Sequence, residues 1–285
     1  MVTIIHYGVS KQVEIQALEK DEKNVRLLIR GVNVPFMNAL RRIVITEVPC
    51  MAVDEVVMIE NSSILQDEII AHRLGLIPLK TDLDSYNLPE ECPCKSEFGC
   101  NLCRVTFTLD VESKEGTRTV YSGELKSENP NITPVSDKIP IIKLAKEQKL
   151  RLEAYARLGK GKNHAKWQPV SMCTYKYLPK IKISKSCDAC GKCVEICPRK
   201  VLAKTDNKIE VRDLMACTLC EDCVNVCPQN PKAIEIMWEE NAFIFNLEST
   251  GALPSARIIS EAIKIMDKQL KEFESQIKVR KGEES

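Results

Sequence analysis

Eight of the chain's 14 cysteines fall in two copies of one spacing. Cys187, Cys190, Cys193 and Cys197 precede Pro198, and Cys217, Cys220, Cys223 and Cys227 precede Pro228. Each run reads C-x2-C-x2-C-x3-C-P, a spacing that ligates iron–sulfur clusters. Three thiolates two residues apart sit on one tight loop and can take three corners of a cubane. The fourth corner has to come from elsewhere, and in runs of this kind the fourth cysteine serves the other cluster. The expected ligand sets are therefore Cys187, Cys190, Cys193 and Cys227 for one [4Fe–4S] cluster, and Cys217, Cys220, Cys223 and Cys197 for a second. Zinc or disulfides are the alternative. Zinc sites usually use paired C-x2-C elements without a third cysteine and a trailing proline.

A third group, Cys92, Cys94, Cys100 and Cys103, reads C-x-C-x5-C-x2-C within twelve residues. Four thiolates so close can wrap a tetrahedral zinc ion, with disulfides or free thiols as the alternatives. Cys50 and Cys173 are left over and read as buried thiols. His72 and His164 have no cysteine or serine spaced to pair with them as catalysts, so a structural or hydrogen-bonding role is expected. The pairs Asp67-Glu68 and Glu90-Glu91 read as solvated loop charges rather than metal carboxylates.

The elements that must carry these groups follow from pattern. The halves of the cluster region repeat at 30 residues, each with a loop, a short helix and an apolar strand-like stretch (Val201-Leu202; Ala233 to Ile236), an arrangement similar to two-cluster ferredoxins. Val13 to Leu18 and Asn24 to Ile29 form a hairpin around the polar turn Asp21-Glu22-Lys23. A helix opens at Asn33-Val34-Pro35, with Phe36, Leu40, Ile43 and Val44 at helical spacing. Residues 50–170 alternate short strands with loops, and Gly159-Lys160-Gly161-Lys162 reads as a flexible basic loop. Beyond the cluster region, Ala242 to Leu247 reads as a strand and Pro254 opens a long amphipathic helix. Ile258, Ile259, Ala262, Ile265, Met266, Gln269, Leu270 and Phe273 recur along that helix. The tail from Lys278 to Ser285 is expected to fray. The two helical stripes read as a partner surface, since so small a unit can hardly bury both, with a place in the chain's own core as the alternative.

At 285 residues the chain has room for one large domain or two to three small ones. A formal net charge of +1 supplies no global field toward nucleic acid or an anionic membrane. Met1 to Ser10 lacks the pattern of a signal peptide, and no apolar run approaches the roughly 18 residues of a membrane span. A cytoplasmic location with reduced thiols is expected. There is no Gly-rich dinucleotide fingerprint to support an electron-transfer component of an oxidoreductase, the alternative that the cluster motif alone would favour.

Four blocks, in order, carry a resemblance. They are Asn38-Ala39-Leu40-Arg41-Arg42-Ile43 with Glu47-Val48-Pro49; Asp67 through Leu79 (DEIIAHRLGLIPL); Lys162 through Pro169 (KNHAKWQP); and Leu247 through Pro254 (LESTGALP). Together they resemble the D-type platform subunits of archaeal DNA-directed RNA polymerase, counterparts of the eukaryotic third-largest subunit and of the bacterial alpha N-terminal domain. The resemblance implies a non-catalytic assembly platform. Its small L partner binds through helices matching Pro35–Glu47 and Pro254–Phe273, the second-largest catalytic subunit contacts it, and small subunits N and P join it. Partner-facing candidates are Phe36, Leu40, Arg41, Arg42, Ile43, Ile258, Ala262, Ile265 and Met266. Arg41 and Arg42 also suit a solvated helix end near the negative pole of its dipole; the family reading turns Arg42 to the second-largest subunit. The eukaryotic counterpart has a zinc loop where Cys92–Cys103 lies.

The expected fold is α+β. A split alpha-like dimerisation domain (1–49, 171–184 and 237–285) carries an inserted mainly-β domain with the cysteine loop (50–170) and a ferredoxin-like domain for two [4Fe–4S] clusters (185–236).

Overall fold

The structure is a computed structural model that describes residues 13–283, with side chains through residue 277. Along the chain run β1 (Glu14–Lys20), β2 (Asn24–Arg30), α1 (Val34–Thr46), β3 (Pro49–Asn61), α2 (Asp67–Gly75), β4 (Arg104–Glu112), β5 (Arg118–Tyr121), β6 (Lys126–Ser127) and β7 (Pro140–Leu144). There follow β8 (Lys149–Lys160), β9 (Val170–Ile183), α3 (Lys192–Ile196), β10 (Leu202–Thr205), β11 (Lys208–Val211), α4 (Asp222–Asn225), β12 (Ile234–Ser249) and α5 (Ser255–Glu283). The class is α+β, as expected. No helix among the described residues is long and apolar enough to cross a membrane.

The chain forms two compact units. Among the described residues, one comprises 13–20, Val25–Asn38 and Thr174–Asn246. It contains most of a four-stranded sheet of order β1-β2-β12-β9 and the small β10-β11 hairpin. The β1-β2 hairpin turns at Asp21, whose carboxylate accepts from the amides of Lys23 (2.8 Å) and Asn24 (2.5 Å). Those bonds hold the Asp21 carboxyl below the usual carboxylate range, Asn24 contributing most. Leu28, Leu178, Ala242 and Ile244 fill one core. A second core lies in the cluster region, where Ala189, Cys193, Leu202, Ile209, Ile234 and Ile236 pack together with Ile181 and Ile183.

The sheet and the cluster region share strands. β12 runs unbroken through Ile234–Ser249 where the sequence reads as two separate apolar stretches, and β9 reaches Ile183. The polar stretch Glu239-Glu240-Asn241 hides this continuity. It stays extended because β12 pairs on both sides, with the Asn241 carbonyl accepting from Gly31 N at 2.9 Å. Backbone pairing, rather than side-chain burial, holds those residues in the strand.

The other unit comprises Asp21–Asn24, Ala39–Cys173 and residues from Leu247 onward. Its sheet has the order β3-β8-β4-β6, with β5-β7 as a separate pair. Met51, Val105, Phe107, Leu109, Leu152 and Ala154 come from its strands and pack against Ile70 and Leu74 of α2. That helix lies within a region expected to be mainly β.

Two expectations are corrected here. The stretch Gly159 to Lys162 is not a flexible loop. β8 runs to Lys160, the Lys162 amide donates to the Thr46 carbonyl (3.0 Å), and Lys160 and Lys162 pair with Glu47 at 3.7 and 3.2 Å. A Cβ on Gly161 would meet the Ile45 carbonyl oxygen at 2.1 Å, so glycine serves close packing there rather than freedom. The terminal helix also does not fray at Lys278 but continues through Glu283.

Candidate metal centres

The two cysteine runs build matching loops. Ala189 and Gly191 have φ of 51° and 88°, and the residues 30 positions on, Leu219 and Glu221, have φ of 61° and 62°. Left-handed residues in such a turn aim successive amides toward a common concavity that suits an anion. Each loop then enters a short helix, α3 or α4.

Two cavities result. One is lined by Cys187, Cys190, Cys193 and Cys227 together with Ile183, Ile209 and Ile234. The other is lined by Cys217, Cys220, Cys223 and Cys197 together with Ile181, Leu202 and Ile236. Burial raises the Cys193 thiol, with added repulsion from Cys187, Cys190 and Cys227. Cys223 is pushed up to about 11 by burial and then by Cys217, Cys220 and Cys197. Thiols crowded in this way ionise readily only when a metal compensates the charge. The Val201 amide lies 3.5 Å from Cys197 Sγ as a donor. Four thiolates around an apolar cavity, with an amide donor to sulfur, fit an iron–sulfur cubane. Such a cluster supplies one-electron redox capacity or a covalent cross-link between loops.

The third cysteine group differs in scale. Cys92, Cys94, Cys100 and Cys103 bring their sulfurs within 4.8 Å of one another, the only such metal-ligand group among the described residues. Three of the separations are 3.7 Å (Cys92–Cys100), 3.8 Å (Cys94–Cys103) and 3.9 Å (Cys100–Cys103). A tetrahedron with zinc–sulfur bonds of about 2.3 Å has edges of about 3.8 Å. A disulfide needs about 2.05 Å, and all four thiols are free. The Cys100 amide donates to Cys103 Sγ (3.1 Å) and the Leu102 amide to Cys100 Sγ (3.4 Å), so the loop already offers its backbone to thiolate charge. The eight cluster cysteines are not gathered so tightly. A cubane, with one thiolate at each of four iron corners, requires that wider spacing.

The remaining candidates are structural. His164 Nδ1 accepts from the Lys166 amide at 3.0 Å and its ring meets Trp167 edge-on. His72 is exposed on α2. Asp67 accepts from Asn61 Nδ2 at 2.7 Å, and Glu91 stands 3.9 Å from Lys268. Cys50 and Cys173 are buried thiols.

The helical stripes divide. Leu40, Ile43, Val44, Ile258 and Ala262 are buried within this chain and Ile265 and Met266 are half-buried, while Phe36 is exposed. Met37, absent from the sequence-based stripe, is fully buried. The open apolar side chains of α5 are Ile263, Leu270, Phe273 and Ile277. Arg41 and Arg42 stand before the last turn of α1, which holds no basic residue. The helix-end argument for these arginines therefore lapses, because the dipole effect fades beyond that turn.

Sequence pattern gave no sign of two further groups. Lys166 pairs with Asp54 (2.5 Å), which also binds Arg157, and lies 4.3 Å over the Trp167 ring. Lys176 on β9 donates to the carbonyls of Met215 (2.7 Å) and Cys217 (2.6 Å). A lone lysine in a strand carries no periodicity that would single it out.

Comparison with known proteins covers both units. The family described as RNA polymerase Rpb3/RpoA insert domain matches residues 57–179, and the 4Fe-4S dicluster domain matches residues 162–232. DNA-directed RNA polymerase subunit Rpo3 of Archaeoglobus fulgidus is 44% identical over 91% of this chain and 96% of its own length. The Rpo3 subunit of Methanothermobacter thermautotrophicus is 45% identical over 89% of this chain and 95% of its own. That of Pyrococcus furiosus is 40% identical over 93% and 97%. At such identity, over nearly the full length of both partners, the chain belongs to the archaeal Rpo3 family of DNA-directed RNA polymerase subunits, the D-type platform subunits.

Proposed function

We propose that this chain is the assembly platform of an archaeal RNA polymerase in the cytoplasm. It contributes no catalytic residue and nucleates the complex by pairing with the small subunit L. The second-largest catalytic subunit and the small subunits N and P then join this heterodimer. The observation that carries the reading is the match to the Archaeoglobus fulgidus relative over 91% of this chain, together with the insert-domain match at residues 57–179 and the dicluster match at residues 162–232. An electron-transfer role would account for the cluster region alone and leave the other blocks unexplained.

In this reading the domains follow the boundaries expected from the sequence. The chain holds two [4Fe–4S] clusters on the crossed cysteine sets and one zinc ion on Cys92, Cys94, Cys100 and Cys103. The shared lining of the two cavities supports the crossed sets, and the near-tetrahedral sulfur separations support zinc. The partner contact falls on exposed apolar positions. Leu40, Ile43, Ile258 and Ala262 hold their helices in the chain's own core, while Phe36, Leu270 and Phe273 face outward.

Co-expression with the L subunit tests this. Leu270→Asp or Phe273→Asp is expected to abolish co-elution while leaving the melting temperature of the free chain unchanged. Leu40→Asp is expected to unfold the chain instead, since it buries a charge. Wild-type co-elution of both exposed-site variants would sink the assignment of α5. Co-purification with a flavoprotein in place of the large polymerase subunits would favour electron transfer.

A further inference from the structure

The loop that opens the second cysteine run is tied to the sheet by cations. Lys176 Nζ on β9 donates to the carbonyls of Met215 (2.7 Å) and Cys217 (2.6 Å). Arg26 Nη2 on β2 donates to the same Met215 carbonyl at 3.0 Å. Both cations are half-buried, and Arg26 Nε is buried with no acceptor among the described residues. Glu19, the ion partner of Arg26, is 3.7 Å away and mostly exposed.

The first cluster site has no half-buried cation in such an arrangement among the described residues. The comparable lysine of the first cluster's ligand set, Lys232, donates to the carbonyls of Cys227 (2.6 Å) and Asn225 (3.4 Å) but is exposed. The first cavity is lined by Asp188, whose carboxylate accepts from the Cys190 amide (3.1 Å) and from Gln229 (2.9 Å). The second cavity also has charged lining residues, Arg199, Glu221 and Asp222, all three of them exposed. Water and salt screen exposed charges far more than half-buried ones. Lys176 and Arg26 are thus the charges that most distinguish the two sites.

We propose that Lys176 and Arg26 are the positioning residues of the second cluster. They anchor the Cys217 loop to strands β9 and β2 and hold two weakly screened cations beside that cluster and not beside the first. The proposal rests on reading the two cysteine sets as separate cluster sites. A thiolate-bound cluster is anionic, and its potential responds to nearby charge and hydrogen bonding. The cations stabilise the more negative, reduced form, so the second cluster has the higher potential. They also fix Cys217 in place, so the second cluster resists loss.

The test uses the full chain, isolated anaerobically with its polymerase partners. Cys190→Ser is used to leave only the second site filled and Cys220→Ser only the first. In the Cys190→Ser background, Lys176→Met is expected to lower the remaining cluster's potential in an electron paramagnetic resonance titration. It should also speed iron loss to a chelator by on the order of tenfold, the scale of one lost hydrogen bond to a charged group. Arg26→Met should act in the same direction, and Lys176→Arg should restore both readouts. In the Cys220→Ser background neither readout should move. Equal effects in the two backgrounds, or none in the first, overturn the proposal. Should Cys190→Ser and Cys220→Ser not each remove about half the iron of two four-iron sites, the two-site reading falls and takes the proposal with it. Unchanged zinc content in Lys176→Met separates local loosening from global unfolding, and lost zinc there counts against a positioning role.

Discussion

Gly159 lies directly beneath the Trp167 ring, and a Cβ built on it would stand 2.3 Å from a ring carbon. Trp167 is nearly buried and donates its indole N–H to the Arg157 carbonyl at 3.2 Å. The ring therefore cannot retreat without giving up that bond. Gly159→Ala is expected to destabilise this unit by about 2 kcal/mol, the usual cost of overpacking a filled core. Urea unfolding followed by tryptophan fluorescence measures it. A midpoint equal to wild type would mean that the contact relaxes freely.

The Cys92–Cys103 loop should carry about one zinc per chain, the content of a single four-thiolate site. Metal analysis of Cys92→Ser and Cys103→Ser should show that zinc lost while iron is retained. Zinc that persists in both variants would place it elsewhere in the molecule.

Crossed ligation makes an unusual forecast. Cys197 belongs to the first run but lines the cavity of Cys217, Cys220 and Cys223. Cys197→Ser should damage the second cluster and spare the one held by Cys187, Cys190 and Cys193. Spectra combining this change with Cys190→Ser or Cys220→Ser reveal which cluster is hit. Loss of the first cluster alone would reverse the assignment.

The two leftover thiols predict an alkaline limit to stability. Burial pushes Cys50 up to about 11 despite the Thr81 hydroxyl beside it, and Cys173 up to about 12 despite the Arg41 charge. An unfolded cysteine ionises near 9. Between pH 9 and 11 the unfolded chain thus releases protons that the native chain keeps, and stability falls as pH rises. The melting temperature should drop above pH 9, and less steeply in Cys50→Ala/Cys173→Ala. Identical slopes would show that these thiols do not contribute. In the native chain both should resist alkylation at pH 8, because the reactive thiolate is suppressed.

Much of this protein is legible in the sequence because ligand spacing is local chemistry. Three thiolates on one loop announce a cluster whatever surrounds them, and the trailing prolines and the 30-residue repeat identify the module. The β1-β2 hairpin and the start of α1 were also readable. Their turn and cap act within three residues, as when Asn33 Oδ1 accepts from the Phe36 amide at 3.0 Å. What the sequence could not decide was which apolar groups remain open. Leu40 and Leu270 look alike in a helical pattern, yet one is 4% exposed and the other 62%. Burial depends on residues far away in the chain, and periodicity records only that a face is apolar. The same holds for Lys176, separated by 41 positions from the Cys217 carbonyl it supports. Only the tertiary fold brings them together, because strand pairing, rather than neighbouring sequence, sets that distance.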